Sequence, residues 1–84
     1  MADKKKTSIR SKDEDRFTKT VGRAILARAA KRGISIERLA YESGVSKGYA
    51  YDIVQGKSNP SILILFRIAE ALEISPAELL DIKN

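Results

Sequence analysis

Cysteine and histidine are both missing from this 84-residue chain, and tryptophan with them. Without cysteine there is no disulfide and no thiol-held metal. Without histidine the commonest general base and the commonest metal ligand are gone. No convergent pair of carboxylates takes their place, so the sequence points away from an enzyme and calls for no cofactor or metal. Long apolar runs are lacking too. The longest, Ile62 to Phe66, is five residues, far short of the ~20 that a membrane helix needs. The opening MADKKKTSIRSK has no apolar stretch behind its lysines. The expectation is therefore a chain without a secretory signal or membrane span, at work in the cytoplasm.

What is present suits one small domain with a modest core, at 43% hydrophobic and 32% charged residues. The net charge of +5 is unevenly placed. Residues 16–57 hold nine lysines and arginines against three acids, while residues 58–84 hold two against four. A positive field concentrated on one stretch is what a phosphate-facing surface needs, although basic helices are also often merely solvated.

Residues 1–14 are polar, mixed in charge and without apolar periodicity, which predicts a disordered basic arm ahead of a domain over 15–84. A first helix is expected over about 15–32, with Phe17, Val21, Ala24, Ile25 and Ala29 on one face and Gly33 ending it. Ser35 caps a second helix running to Ser43, and Ser46 caps a third that stops before Gly56. Ser61 starts a fourth, about Ile62 to Leu72. Ser75-Pro76-Ala77-Glu78 combines a capping box with proline at the first helical position, and Leu79, Leu80 and Ile82 give the fifth helix its apolar face. No strand pattern appears, so the expected fold is an all-α five-helix bundle.

Residues 35–60 carry the most information. Two short capped helices meet at a tight turn, Gly44-Val45, with Leu39, Ala40, Val45, Ala50 and Ile53 spaced to pack them together. That pattern reads as a helix-turn-helix, in which the first helix braces and the second lays its polar face in a DNA major groove.

With LA at 39–40, GVS at 44–46, Ile53, Gly56 and then Pro60-Ser61, the chain resembles the lambda-repressor-like (Cro-type, or xenobiotic-response-element) helix-turn-helix family of phage and bacterial regulators. The likeness continues through Leu65, Ile68-Ala69 and Leu72 to SPAELL at 75–80, and covers roughly residues 20–81. Each match is weak, but the ordered set is specific. It implies a five-helix bundle, usually dimeric, on a palindromic operator. Three places depart from the family. Ile36 stands where a phosphate-contacting glutamine is usual. Ala29 and Val54 replace a buried arginine–glutamate pair, a coherent double loss because one charge left alone would be costly. Leu63 and Ile64 lie where the family tends to be polar.

By this resemblance Lys47, Gly48 and Asp52 match base-contacting positions, with Tyr51 beside them and Gln55 nearer the backbone. Lys47 suits guanine O6 and N7, and Asp52 a cytosine amino group; the other reading of Asp52 is an exposed carboxylate paired with Lys47 or a neighbouring subunit. Gly48 either allows close approach to the groove or avoids a clash. Tyr49 and Tyr51 cannot both point into the core: one reaches a phosphate or a thymine methyl, with Tyr51 set among the base contacts and Tyr49 among the backbone contacts, or the rings cover the seam between helices three and four. Phosphates would be held at the capped helix starts, Ser35 and Ser46, by the loop Lys57-Ser58-Asn59, and by Arg23 or Arg28 of the first helix. The Lys4-Lys5-Lys6 run resembles a flexible operator-wrapping arm, or is a charged tail that touches nothing.

The fourth helix is apolar almost all round, yet a helix on a small bundle buries only one face. Surplus apolar groups suggest a partner, and the expectation is a two-fold homodimer through Leu63, Ile64, Phe66, Leu80 and Ile82. Two recognition helices ~34 Å apart then call for inverted half-sites about 10 bp apart. The leading reading is a sequence-specific regulator of transcription, as repressor or autoregulator. Its rival is a protein-interaction module, an antitoxin or adaptor, with little or no specific DNA binding.

Overall fold

Ser35, Ser46, Ser61 and Ser75 each stand just before a helix, and each side chain accepts from the backbone N–H three residues on, at 3.0–3.2 Å. Local sequence therefore starts four of the five helices. In the computed structural model, which describes residues 12–81, these are α2 (Ile36–Ser43), α3 (Lys47–Val54), α4 (Ile62–Ala71) and α5 (Pro76–Leu79), preceded by α1 (Lys12–Arg32). No strand occurs among the described residues. At α5 the capping box is complete, because Glu78 Oε1 also accepts from the Ser75 N–H at 3.0 Å.

The stops repeat as well. After α1, α2, α3 and α4 one residue turns into the left-handed region: Gly33, Gly44, Gly56 and Glu73. The following N–H then reaches back five residues, Ile34 to Ala29, Val45 to Ala40, Lys57 to Asp52 and Ile74 to Ala69, at 2.8–3.0 Å. This closes the orphan carbonyls of each last turn. Glu73, at φ 61°, is the one non-glycine among the described residues in this conformation.

Two expectations about helix extent need correction. The helix predicted from about Asp15 begins at Lys12, so the boundary drawn between 14 and 15 falls inside it. Asp13, Glu14 and Asp15 form its first turn, where carboxylates complement the exposed amides and the helix dipole. Phe17, placed by periodicity on one face with Val21, Ala24, Ile25 and Ala29, is 51% exposed, at the edge of a small apolar cavity that it lines with Val21, Ile53, Pro60, Leu65 and Leu80. The Lys4–Lys6 arm and Ile82 lie outside the described residues.

The core takes Val21, Ile25 and Ala29 from α1, Leu39 and Ala40 from α2, Ala50, Ile53 and Val54 from α3, Ile68 and Ala69 from α4, then Leu72 and Leu79. Ala29 and Val54 are both buried, so the pair that replaces two charges is part of this apolar centre. α2 packs on α3 and α4, and α1 packs on α2, α3 and α5. The approach of α1 to α3 is close. A Cβ on Gly22 would stand 2.5 Å from the Val54 carbonyl oxygen and 2.8 Å from that of Ile53. Thr18 Oγ1 adds a hydrogen bond to the Gly56 carbonyl at 3.3 Å.

Candidate nucleic-acid interface

Burial of Ala50, Ile53 and Val54 leaves Lys47, Gly48, Asp52 and Gln55 on the outward side of α3, all exposed. Tyr49 and Tyr51 are half-buried with their rings against the core. Lys47 and Asp52 form no ion pair with each other. A Cβ placed on Gly48 would meet nothing within 4 Å. Nothing inside the chain therefore demands glycine there, though glycine costs a helix about 1 kcal/mol relative to alanine.

Tyr51 is not free. Its hydroxyl donates to Glu37 Oε2 at 2.8 Å, joining the recognition helix to the first turn of α2. That bond holds the Glu37 carboxyl below its ordinary range, helped by its own backbone N–H and the nearby Lys47 charge. The same bond, with burial and the Glu37 charge, pushes the Tyr51 hydroxyl up. Glu37 was absent from the sequence-derived set. The sole hint was an acid at the second position of the bracing helix, and the partner lies 14 residues away.

The flanking positions expected to hold phosphate are at the surface. Ser35, Ser46, Lys57 and Asn59 are exposed and Ser58 is half-buried. Both serine oxygens already accept their capping bonds; Ser46 keeps its hydroxyl proton to donate, while that of Ser35 also serves the Glu37 carboxylate. Ile36, at the place of a usual glutamine, packs against the core and offers no polar group. On α1, Arg23 is exposed and Arg28 half-buried. Five positions apart, they are separated by about 140° around the helix and so occupy different faces. Lys19, overlooked in the sequence, packs where a Cβ on Gly56 would stand, 2.5 Å from its Cγ, beside the end of α3.

The basic residues divide into two groups. Arg32 reaches Glu42 at 3.2 Å and Glu73 at 3.1 Å, while Arg38 reaches Glu42 at 2.8 Å and lies over the Tyr41 ring. Lys19, Arg23, Lys47 and Lys57 have no ion pair among the described residues. Lys12, Arg28 and Lys31 of α1 and Arg67 of α4 also have no ion pair among the described residues, so α3 shares its unpaired cations with other faces.

Residues 25–79, which contain this α2–turn–α3 arrangement, match the helix-turn-helix (HTH_3) family. The chain belongs to that family. Among relatives, it is 42% identical over 62 residues to the HTH-type transcriptional regulator SlrR of Bacillus subtilis, a match covering 73% of this chain and 41% of SlrR. Over 54 residues it is 37% identical to the control protein C.BamHI of Bacillus amyloliquefaciens, 64% of this chain and 67% of the other. The restriction-modification controller protein C.AhdI of Aeromonas hydrophila superposes with a TM-score of 0.77 at 30% identity, over 80% of this chain and 97% of its own. The chain thus spans less than half the length of SlrR and nearly all of C.AhdI. Its place in the helix-turn-helix family accounts for the all-α architecture, and no helix among the described residues is long and apolar enough to cross a membrane.

Proposed function

We propose that this chain is a sequence-specific double-stranded DNA-binding regulator of transcription, not an enzyme, acting in the bacterial cytoplasm as a homodimer. The observation that carries the reading is Gly48. It is the second residue of the recognition helix, with nothing within 4 Å of where a Cβ would stand and the unpaired Lys47 next to it in the chain. A glycine that packing does not require fits a surface on which something else must come close. In this reading Lys47, Gly48, Tyr51 and Asp52 meet base edges, while Ser35, Ser46, Gln55, Lys57, Ser58, Asn59 and Arg23 hold the backbone, with Lys19 added. Phosphate contacts set register and base contacts set specificity.

The dimer would form through exposed Leu63, Phe66 and Leu80, joined by Ile62, which is 87% exposed. Ile64, expected in the same surface, packs partly against the core and lies at its edge. Ile82 would extend the patch. Two subunits on an inverted repeat, overlying a promoter, act as repressor or autoregulator. Ile36 and the apolar α4 surface favour a second reading, a protein-interaction module. Selection of bound duplexes from a randomised pool separates the two. The regulator yields an inverted repeat with half-sites about 10 bp apart and affinity that falls steeply with salt. No enriched sequence, with binding indifferent to salt, would overturn the reading in favour of the module.

A further inference from the structure

Tyr51 stands one turn after Lys47 on α3, half-buried beside the exposed Lys47 and Asp52, and its single hydroxyl proton is committed to Glu37. We propose that Glu37 is a specificity-determining residue that makes Tyr51 a one-way reader, accepting only from bases that present an exocyclic amine. The inference rests on the DNA-binding reading above.

A phenol can donate or accept. Left alone, Tyr51 could turn its O–H toward guanine O6 or thymine O4, or present lone pairs to cytosine N4 or adenine N6, and so discriminate weakly. With the proton held by a carboxylate at 2.8 Å, only lone pairs remain for a ligand. Asp52, exposed beside Tyr51 and without an ion pair to Lys47, is also acceptor-only. Lys47 is donor-only. The helix therefore places acceptors next to one cation. In the major groove a C·G pair carries the complementary set, the cytosine amine beside guanine O6 and N7. Thymine O4 or guanine O6 facing Tyr51 would set lone pair against lone pair and be rejected. The predicted half-site has cytosine opposite Tyr51, with guanine toward Lys47.

Glu37 also has an electrostatic signature. A carboxylate on a phosphate-facing surface lowers general DNA affinity, so a residue kept there for selectivity trades one for the other. The test runs the duplex selection on wild type, Glu37→Ala, Glu37→Gln and Tyr51→Phe, with circular dichroism to confirm folding. Wild type should show one amine-bearing position per half-site. Glu37→Ala and Tyr51→Phe should lose preference there, roughly tenfold or more, and keep the rest of the half-site. Glu37→Ala should bind unrelated duplexes more tightly, and Glu37→Gln, whose amide oxygen can still accept from Tyr51, should retain most of the discrimination. Unchanged preference in Glu37→Ala, or equal weakening on every duplex, overturns the assignment while leaving DNA recognition intact. A wild type that enriches no sequence takes down both.

Discussion

A methyl group added at Gly22 would have to push backbone aside, because the Val54 and Ile53 carbonyls fill the space a Cβ needs. The same methyl at Gly48 enters open space. Gly22→Ala should therefore cost about 1–3 kcal/mol, as overpacking does, visible as a thermal midpoint lower by several degrees. Gly48→Ala should do the reverse, gaining about 1 kcal/mol of helix stability while weakening DNA binding. A Gly48→Ala protein that is stabilised and binds DNA as well as wild type would remove the argument from close approach. The sequence marked Gly48 but left both readings open, since a glycine's reason depends on what surrounds it. The serine caps were legible because their partners lie three residues away. Glu37 was not, because its bond to Tyr51 exists only once α2 and α3 are placed.

Between elements, Glu42 is the tie. Its two oxygens are held by Arg32 at the end of α1 and Arg38 on α2, and Arg32 reaches on to Glu73 after α4. The Arg38 bond, then the Arg32 charge, holds the Glu42 carboxyl below its ordinary 4.5. The folded protein thus takes up this proton less readily than the unfolded chain. The tie is fully present above the ordinary carboxylate value and is lost as pH falls through the lower folded one. Thermal midpoints should fall as pH drops below the ordinary carboxylate value, and Glu42→Gln should flatten that fall. An identical acid slope in the variant would show the tie to be inert. At this scale periodicity served unevenly. It set Phe17 on one face of α1 with Val21, Ala24, Ile25 and Ala29, but spacing says which residues share a face and nothing of how completely the neighbours cover each, and Phe17 stays half exposed. In the run Ile62 to Phe66 there is no polar contrast to orient the helix. There the outward place falls to Ile62, while Ile64 turns partly inward.

At the scale of the whole described chain, Lys47 and Lys57 stand without an ion pair on and just after α3, while Ile62, Leu63 and Phe66 stay exposed on α4. The reading above makes these two halves of one device, a pair of half-site readers joined through their apolar sides. A Leu63→Lys, Phe66→Lys double variant alters exposed side chains, so it should fold. It should sediment as a monomer where wild type sediments as a dimer, and bind the full inverted repeat far more weakly, since linked half-sites reinforce each other. Wild type running as a monomer at micromolar concentration would end the two-fold proposal without touching the single half-site.

Leu79, 1% exposed at the end of a one-turn α5, is among the last residues placed in a core that begins at Val21. On the ribosome the order of appearance is fixed. The whole of α3 emerges while the apolar seat for Leu79 still stands open, so a growing chain displays the exposed face of α3 before it owns a closed interior. A closed core would come only with the final turn, and a chain stopped just short of it would carry all of α2 and α3 on a body still open to water and proteases.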